Sequence, residues 1–321
     1  MLDKGLLDLI VCPRDKFPLS HRADQLRCDQ GHVYSIVDGV PILLVREMLQ
    51  THIEGERSLA VADAGPGAEL PRFEVHSGQI DPFVNRAIGA TNGSLYQHLV
   101  GNLREYPIPE LRLPPGQGRS FVEIGCSWGR WCIAATRLGY RVVGIDPSLK
   151  SIRAAKRVAQ QLGITAHYAV ADGRCMPFPD RSFDQAFSYS VLQHLSRENV
   201  RTVLSEVRRV LHPNGGYRLQ MPNAFGIRCI YHQARRHFRN AQDFEVRYWT
   251  PRELASVFST ALGSAQLSVD GFFSLNAQIS DIRFLPSKYR ALVKVSDRLR
   301  KLSQIFPPLL YAADSLYVTA A

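Results

Sequence analysis

One short stretch carries the first chemical signal. Glu123, Gly125, Ser127 and Gly129 form an E-x-G-x-S-x-G pattern inside FVEIGCSWGR, residues 121–130. An apolar run feeds in and an alanine-rich run leads out. Gly125 marks a strand-to-helix turn where backbone approaches a ligand closely. The amides at 127–130 open the next helix and favour an anion there. Asp146 stands 21 positions after Gly125, at the end of the next apolar run. An acid in that place accepts hydrogen bonds from ribose hydroxyls. Asp172-Gly173 closes the third run. The spacing argues against a dinucleotide, because no G-x-G-x-x-G is present and Ser127 takes the middle place. A second cluster lies near the start, where Cys12 and Asp15 are followed, after twelve intervening residues, by Cys28 and His32. Two thiolates, a carboxylate and an imidazole are a chemically possible zinc shell, closed and therefore structural. Zinc favours soft sulfur, so the shell binds more weakly than one with three thiolates. A metal-bound and a metal-free module both stay open.

These residues need a frame. From 120 onward the chain alternates strand and helix: strands at 121–125, 140–146, 164–172, 183–190 and 215–222, with helices at 129–138, 148–162 and 197–211. That repeat predicts a parallel sheet covered on both faces. A helix at 251–260, a strand near 265–273, a polar helical stretch at 285–304 and a strand at 315–320 follow. Residues 1–46 read as a compact module, with a short helix at 3–10 and β pieces at 17–20, 25–28, 33–36 and 41–45. Residues 47–80 read as a linker around Gly65-Pro66-Gly67, and 82–105 as helical with a break at Asn92-Gly93.

The ordered set resembles the class I S-adenosylmethionine-dependent methyltransferases over residues 90–320. The resemblance implies an α/β fold, a Rossmann-like seven-stranded methyltransferase sheet within a domain at 81–321, with a cap insertion at about 274–313. It implies S-adenosylmethionine as cofactor. Gly125, Ser127 and Gly129 then line its methionine part, with Glu123 before them. Asp146 takes the ribose diol beside Pro147 and Ser148, and Asp172 with Gly173 meets the adenine. Ser188 and Tyr189 end the fourth strand beside the reactive methyl. Ser127 departs from the usual glycine, and its small side chain implies tolerance. The head, residues 1–46, resembles the small zinc-binding domain of ribosomal-RNA guanine methyltransferases and the activator subunit of tRNA and release-factor methyltransferases. It shares their tail, here Tyr34 to Leu44. Asp15 stands where those domains have cysteine.

The acceptor motif, Ser188 to His194, lacks Asn/Asp-Pro-Pro-Tyr and the Pro-Cys of pyrimidine-carbon enzymes. Nucleobase and amide acceptors become less expected. A hydroxyl of a small molecule, such as a sugar, glycolipid or secondary metabolite, is the leading acceptor. RNA methylation and a non-catalytic scaffold that recruits a partner through its head remain the alternatives. His194 is the candidate base, since imidazole titrates near neutrality. Tyr96 and Asn223 are candidate acceptor contacts.

The net charge of +10 and pI near 9.5 suit an anionic partner. Arg228, Arg235, Arg236 and Arg239 interleave with Tyr231 and Phe238, and Lys288 to Lys301 form a second basic stretch. Such segments hold phosphate, carboxylate or a base, lie on anionic lipid, or are simply solvated. No apolar run reaches the ~18 residues needed to span a bilayer. A cytoplasmic protein is expected, its six cysteines reduced or metal-bound. The oligomeric state is not legible.

Overall fold

The computed structural model describes residues 2–65, 79–273 and 276–320. They fall into two compact units, the first holding 1–84, 111–186 and 209–215 and the second 85–110, 187–208 and 216–321.

The first unit opens with α1 (Lys4–Leu7), capped by the Asp3 carboxylate, which accepts from the Gly5 and Leu6 amides. Strands β1 (Leu19–Arg22), β2 (Gln25–Cys28), β3 (Val33–Val37) and β4 (Val40–Leu43) form an antiparallel meander. Asp38 and Gly39 turn β3 into β4 with φ of 50° and 69°, the left-handed pair that a tight hairpin requires. Strand β4 is buried along its whole length. It also pairs in parallel with a later strand, Ile42 opposite Val170 and Leu43 opposite Ala171.

Helix α2 (Ile53–Ala64) lies within the stretch read as a linker. His52 caps it and Glu54 and Glu56 sit in its first turn, an arrangement the helix dipole favours. Its buried residues are Gly55, Ser58 and Ala62. None of these is a large apolar side chain. The Gly65-Pro66-Gly67 break begins at the edge of the described residues, and 66–78 lie outside them. Helix α3 (Pro82–Asn92) follows and ends before Gly93, whose φ of 103° stops it.

The alternating frame then appears: β5 (Ser120–Ile124), α4 (Arg130–Arg137), β6 (Arg141–Asp146), α5 (Leu149–Gln161), β7 (Ala166–Ala171) and β8 (Phe183–Ser188). β5 pairs in parallel with β6, and β6 with β7. The strand order in this unit is β1-β2-β3-β4-β7-β6-β5-β8. Phe121, Val122, Val142, Val143, Ile145 and Val170 are buried, as strands covered on both faces must be. Burying each such side chain contributes about 1.5–3 kcal/mol.

Helix α6 (Arg197–Val210) and strand β9 (Leu211–Pro222) follow. The second unit then carries α7 (Ile227–Arg235), α8 (Pro251–Leu262), β10 (Gln266–Gly271), α9 (Ser287–Leu302) and β11 (Ser315–Thr319). Thr250 and Glu253 close a capping box on α8. Here the order is β9-β11-β10, with β11 antiparallel to both neighbours. The seven expected strands are thus β5 to β11. The sheet is mixed rather than purely parallel, because β11 reverses direction. Within the expected cap insertion, α9 is flanked by 3₁₀ turns at Ile279–Phe284 and Pro307–Ala312, while residues 274 and 275 lie outside the described residues. Among the described residues, no helix is long and apolar enough to cross a membrane.

Candidate functional site

The glycine turn stands at the end of β5. Gly125, Ser127 and Gly129 have φ of 76°, 48° and 82°. Ser127 therefore occupies the left-handed region that glycine enters most readily, at a cost of about 1–2 kcal/mol. A Cβ on Gly129 would stand 2.8 Å from Tyr168 Oη, so that position admits no side chain. Asp146 builds the turn from below. Its Oδ2 accepts the Ser127 amide at 2.9 Å and its Oδ1 the Ser148 amide at 2.9 Å. Each carboxylate oxygen keeps acceptor capacity for a diol. Burial pushes Asp146 up to about 6, with the Glu54 charge adding to it and the two amides pulling back.

Glu123 is buried, and burial pushes its carboxyl up to about 8. Its Oε2 has no hydrogen-bond partner among the described residues. A buried acceptor oxygen with no donor among the described residues fits a ligand that brings one, as the ammonium of S-adenosylmethionine does. Pro147 and Ser148 are held by their neighbours. The Ser58 hydroxyl donates to the Pro147 carbonyl at 2.7 Å, and Ser148 Oγ caps α5 by accepting the Ser151 amide at 3.2 Å. Glu54 Oε2 lies 3.5 Å from Ser148 Oγ. Sequence patterning missed Glu54 and Ser58, since both sit on the polar helix α2.

Asp172 is paired with Arg174. The Arg174 amide and Nε donate to Oδ1 at 2.8 and 3.1 Å, and Nε and Nη2 donate to Oδ2 at 3.1 and 2.7 Å. Three N–H groups of Arg174 thus occupy most of the four acceptor sites of this carboxylate, and an adenine amino group would share it with Arg174. Gly173 sits in the same turn.

In the head, Cys12, Asp15, Cys28 and His32 converge, their donor atoms all within 4.8 Å of one another. Both sulfurs lie 3.5 Å from His32 Nδ1, Cys28 Sγ lies 3.2 Å from Asp15 Oδ2, and Nδ1 lies 2.9 Å from Oδ2. Zinc bonds of about 2.0–2.3 Å give tetrahedral edges of about 3.3–3.8 Å. The set has that size, slightly tight at the carboxylate–imidazole edge. Burial works against the Asp15 carboxylate, but the Cys12 thiol, the Phe17 amide, Cys28 and His32 hold it down at about 2.

The second unit holds the acceptor-side residues. Ser188 is fully buried. The Tyr189 hydroxyl donates to Asp270 Oδ2 at 2.9 Å. Ser315 Oγ donates to the same oxygen at 2.8 Å, Gln220 Nε2 to Ser315 Oγ at 2.9 Å, and the Ser190 amide to Gln220 Oε1 at 2.8 Å. This buried polar chain was invisible in the sequence because its members come from four separate strands and turns. His194 stacks on Phe244 at 3.9 Å between ring centroids. Its Nδ1 lies 2.7 Å from the Phe244 carbonyl, which makes Nδ1 the protonated nitrogen and leaves Nε2, 3.1 Å from Gln193 Nε2, as the acceptor.

Asn223 is not an acceptor contact. It is fully buried, and its Nδ2 lies 3.2, 3.0 and 2.7 Å from the carbonyls of Leu310, Tyr311 and Ala313, while Oδ1 accepts the Phe225 amide. A saturated side chain has nothing left for a substrate. Tyr96 is likewise fully buried, and the cavity beside it takes Ser94 and Leu95 as lining instead. That cavity measures about 300 Å³ and draws on Asn92, Gln193, Gln220, His232, Tyr248 and Asp314.

Residues 121–215 match the family described as Methyltransferase domain. The Ubiquinone biosynthesis O-methyltransferase of Rhodopseudomonas palustris is 33% identical over 98 residues, 30% of this chain and 38% of that protein. The chain therefore spans well under two thirds of that relative. A UPF0434 protein of Vesicomyosocius okutanii is 50% identical over 48 residues, 15% of this chain and 81% of its own length. Among solved structures, a SAM dependent methyltransferase from Archaeoglobus fulgidus aligns with a TM-score of 0.44 at 15% identity, covering 64% of this chain and 87% of that one. Residues 121–215 thus carry a methyltransferase domain, whose glycine turn Asp146 braces from the next strand, and the chain also carries a UPF0434-family module.

Proposed function

We propose that the chain moves the methyl group of S-adenosylmethionine to a hydroxyl of a small polar molecule. The observation that carries this reading is the lining of the 300 Å³ cavity. It offers amides, hydroxyls, one imidazole and one carboxylate, and contains no lysine or arginine. Neutral donors and acceptors suit a hydroxylated ligand, whereas an RNA site needs cations along a backbone. The name O-methyltransferase on the curated relatives is consistent with oxygen as the methylated atom.

The cofactor supplies a sulfonium-bound methyl that an oxygen displaces in line. Gly125, Ser127 and Gly129 would let backbone close on it, Asp146 would hold the ribose diol, and Glu123 would receive its ammonium. Gln193 and Gln220 would orient the acceptor. His194 would take the hydroxyl proton at Nε2 once the Gln193 amide turns away from it, with Nδ1–H fixed on the Phe244 carbonyl. Cys12, Asp15, Cys28 and His32 would hold one zinc ion, whose closed shell makes it structural.

The test is methyl transfer from labelled cofactor to a small-molecule extract and, separately, to total RNA, each at low and physiological salt. Label in the extract with little salt dependence is expected. Label only in RNA, falling steeply with salt, would replace this reading with RNA methylation. Label in neither fraction, with cofactor still bound, would leave a scaffold.

A further inference from the structure

We propose that the second unit carries a docking face for an anionic membrane surface, formed by α7 and the stretch just after α9. Helix α7 buries only Cys229. Ile227, Ile230 and Tyr231 stand 50%, 45% and 50% exposed. A helix on a protein surface ordinarily turns such residues inward. After α9, Ile305, Phe306 and Tyr311 are 83%, 53% and 59% exposed. The two segments are tied together. Asn223, four residues before α7, holds the Leu310 and Tyr311 carbonyls. Asp314 Oδ1 accepts the Arg228 and Cys229 amides at 2.6 and 2.8 Å, which pins the start of α7 to the end of that stretch. Exposed apolar side chains gathered on two segments tethered to each other mark an interaction site more than single exposed side chains do.

The charge pattern names the partner. Residues 225–240 contain four arginines and no acid; at the end of α9, Arg300 and Lys301 pair with Asp297 at 2.7 and 2.9 Å, and Arg298 adds a further positive charge. The Arg228 and Arg235 guanidiniums lie 5.5 and 5.9 Å from the Tyr231 ring centre. Neither is ion-paired with a carboxylate among the described residues, whereas Arg236 and Arg239 meet Glu245. A neutral protein groove would use the apolar side chains and leave these cations without counter-charge. A nucleic acid would use the cations and leave three isoleucines in water. An anionic bilayer uses both, since apolar tips enter the headgroup boundary while arginines meet lipid phosphates.

The same helix lines the cavity from its other side, through Cys229 and His232. An acceptor would then reach the cavity from the lipid surface, which makes a lipid-borne hydroxyl its chemical class. That extension rests on the function proposed above. The docking does not, and vesicle binding reads docking alone.

The experiment sediments the full chain with vesicles of phosphatidylcholine alone and of phosphatidylcholine mixed with phosphatidylglycerol. Binding to the mixed vesicles only is expected. The double variants Ile227→Ser/Tyr231→Ser and Ile305→Ser/Phe306→Ser should each lower the partition by roughly tenfold. Cofactor affinity and melting temperature should stay unchanged in both. The exposed charge reversal Arg228→Glu should weaken binding too, and guards against a serine pair that fails to fold. Equal partition to both vesicle types would overturn the proposal, and so would serine pairs that bind as the parent does. Loss of RNA binding in the variants with vesicle binding intact would assign the face to nucleic acid. Self-association lost in the variants, without vesicle binding, would assign it to a second copy of the chain.

Discussion

Replacing Asp146 with asparagine separates what this carboxylate does for the cofactor from what it does for the fold. Its two oxygens each accept one backbone amide, from Ser127 and Ser148. A ribose diol adds two hydroxyl donors. Asparagine keeps one acceptor oxygen and turns an NH₂ toward the other partner. The loss is about one hydrogen bond to a charged group, about 1.5–3 kcal/mol. Affinity for S-adenosylmethionine should fall about 10- to 150-fold. The fold should suffer less. One amide bond is lost, at about 1 kcal/mol, but a costly buried charge goes with it. Burial raises this carboxyl to about 6 from 3.8. Its stabilising contribution is therefore complete below the unfolded value and is lost as pH rises through 6. Asparagine removes that pH dependence, so the melting temperature of the free protein should hold at pH 8. In the parent, the ionised fraction at pH 5 is about one tenth, and cofactor affinity should weaken accordingly between pH 7 and 5. Calorimetric titration and thermal melting measure both quantities. An Asp146→Asn affinity within threefold of the parent, with an unchanged melting temperature, would refute the ribose assignment.

Ser127→Gly should raise stability by up to about 1 kcal/mol in urea unfolding, because φ of 48° favours glycine. Metal analysis should find about one zinc per chain, and Cys28→Ser should release it; an ordered head without metal would show a site that has lost its ion. His194→Ala should cost roughly 100-fold or more in turnover once an acceptor is found, and a loss below about tenfold would mark a packing residue. Asn223→Ala should destabilise by about 1–3 kcal/mol, since buried carbonyls lose their donor. Unchanged urea unfolding would show that water replaces the amide.

The glycine turn and the strand–helix alternation were legible because both are local. Gly125 and Asp146 fall at fixed spacing, and β5, β6 and β7 announce themselves as apolar runs between turns. The direction of β11 was not legible, since alternation of apolar residues is the same for parallel and antiparallel strands. Helix α2 hid because its buried face consists of Gly55, Ser58 and Ala62, which leaves no apolar period to read. Its start signals, His52 with Glu54 and Glu56, were present and went unread. Nothing in the spacing around Asp172 tells that Arg174, two residues on, folds back over it. The cavity lining comes from segments as distant as Asn92 and Asp314, and only the folded chain brings them together.

The parallel pairing of β4 with β7 has a consequence for how this chain can be cut. A sheet's last strand leaves a row of unmet amides and carbonyls that recruits other chains. Here β4 covers that row on β7, and β1 to β3 continue beyond it. A chain trimmed at residue 46 would bare the β7 edge and the apolar face of Val170 and Ala171 beside it. It should aggregate rather than yield a free-standing catalytic half. The head is thus a selvedge woven onto the cloth, and gene fusions or truncations at this boundary would fray it.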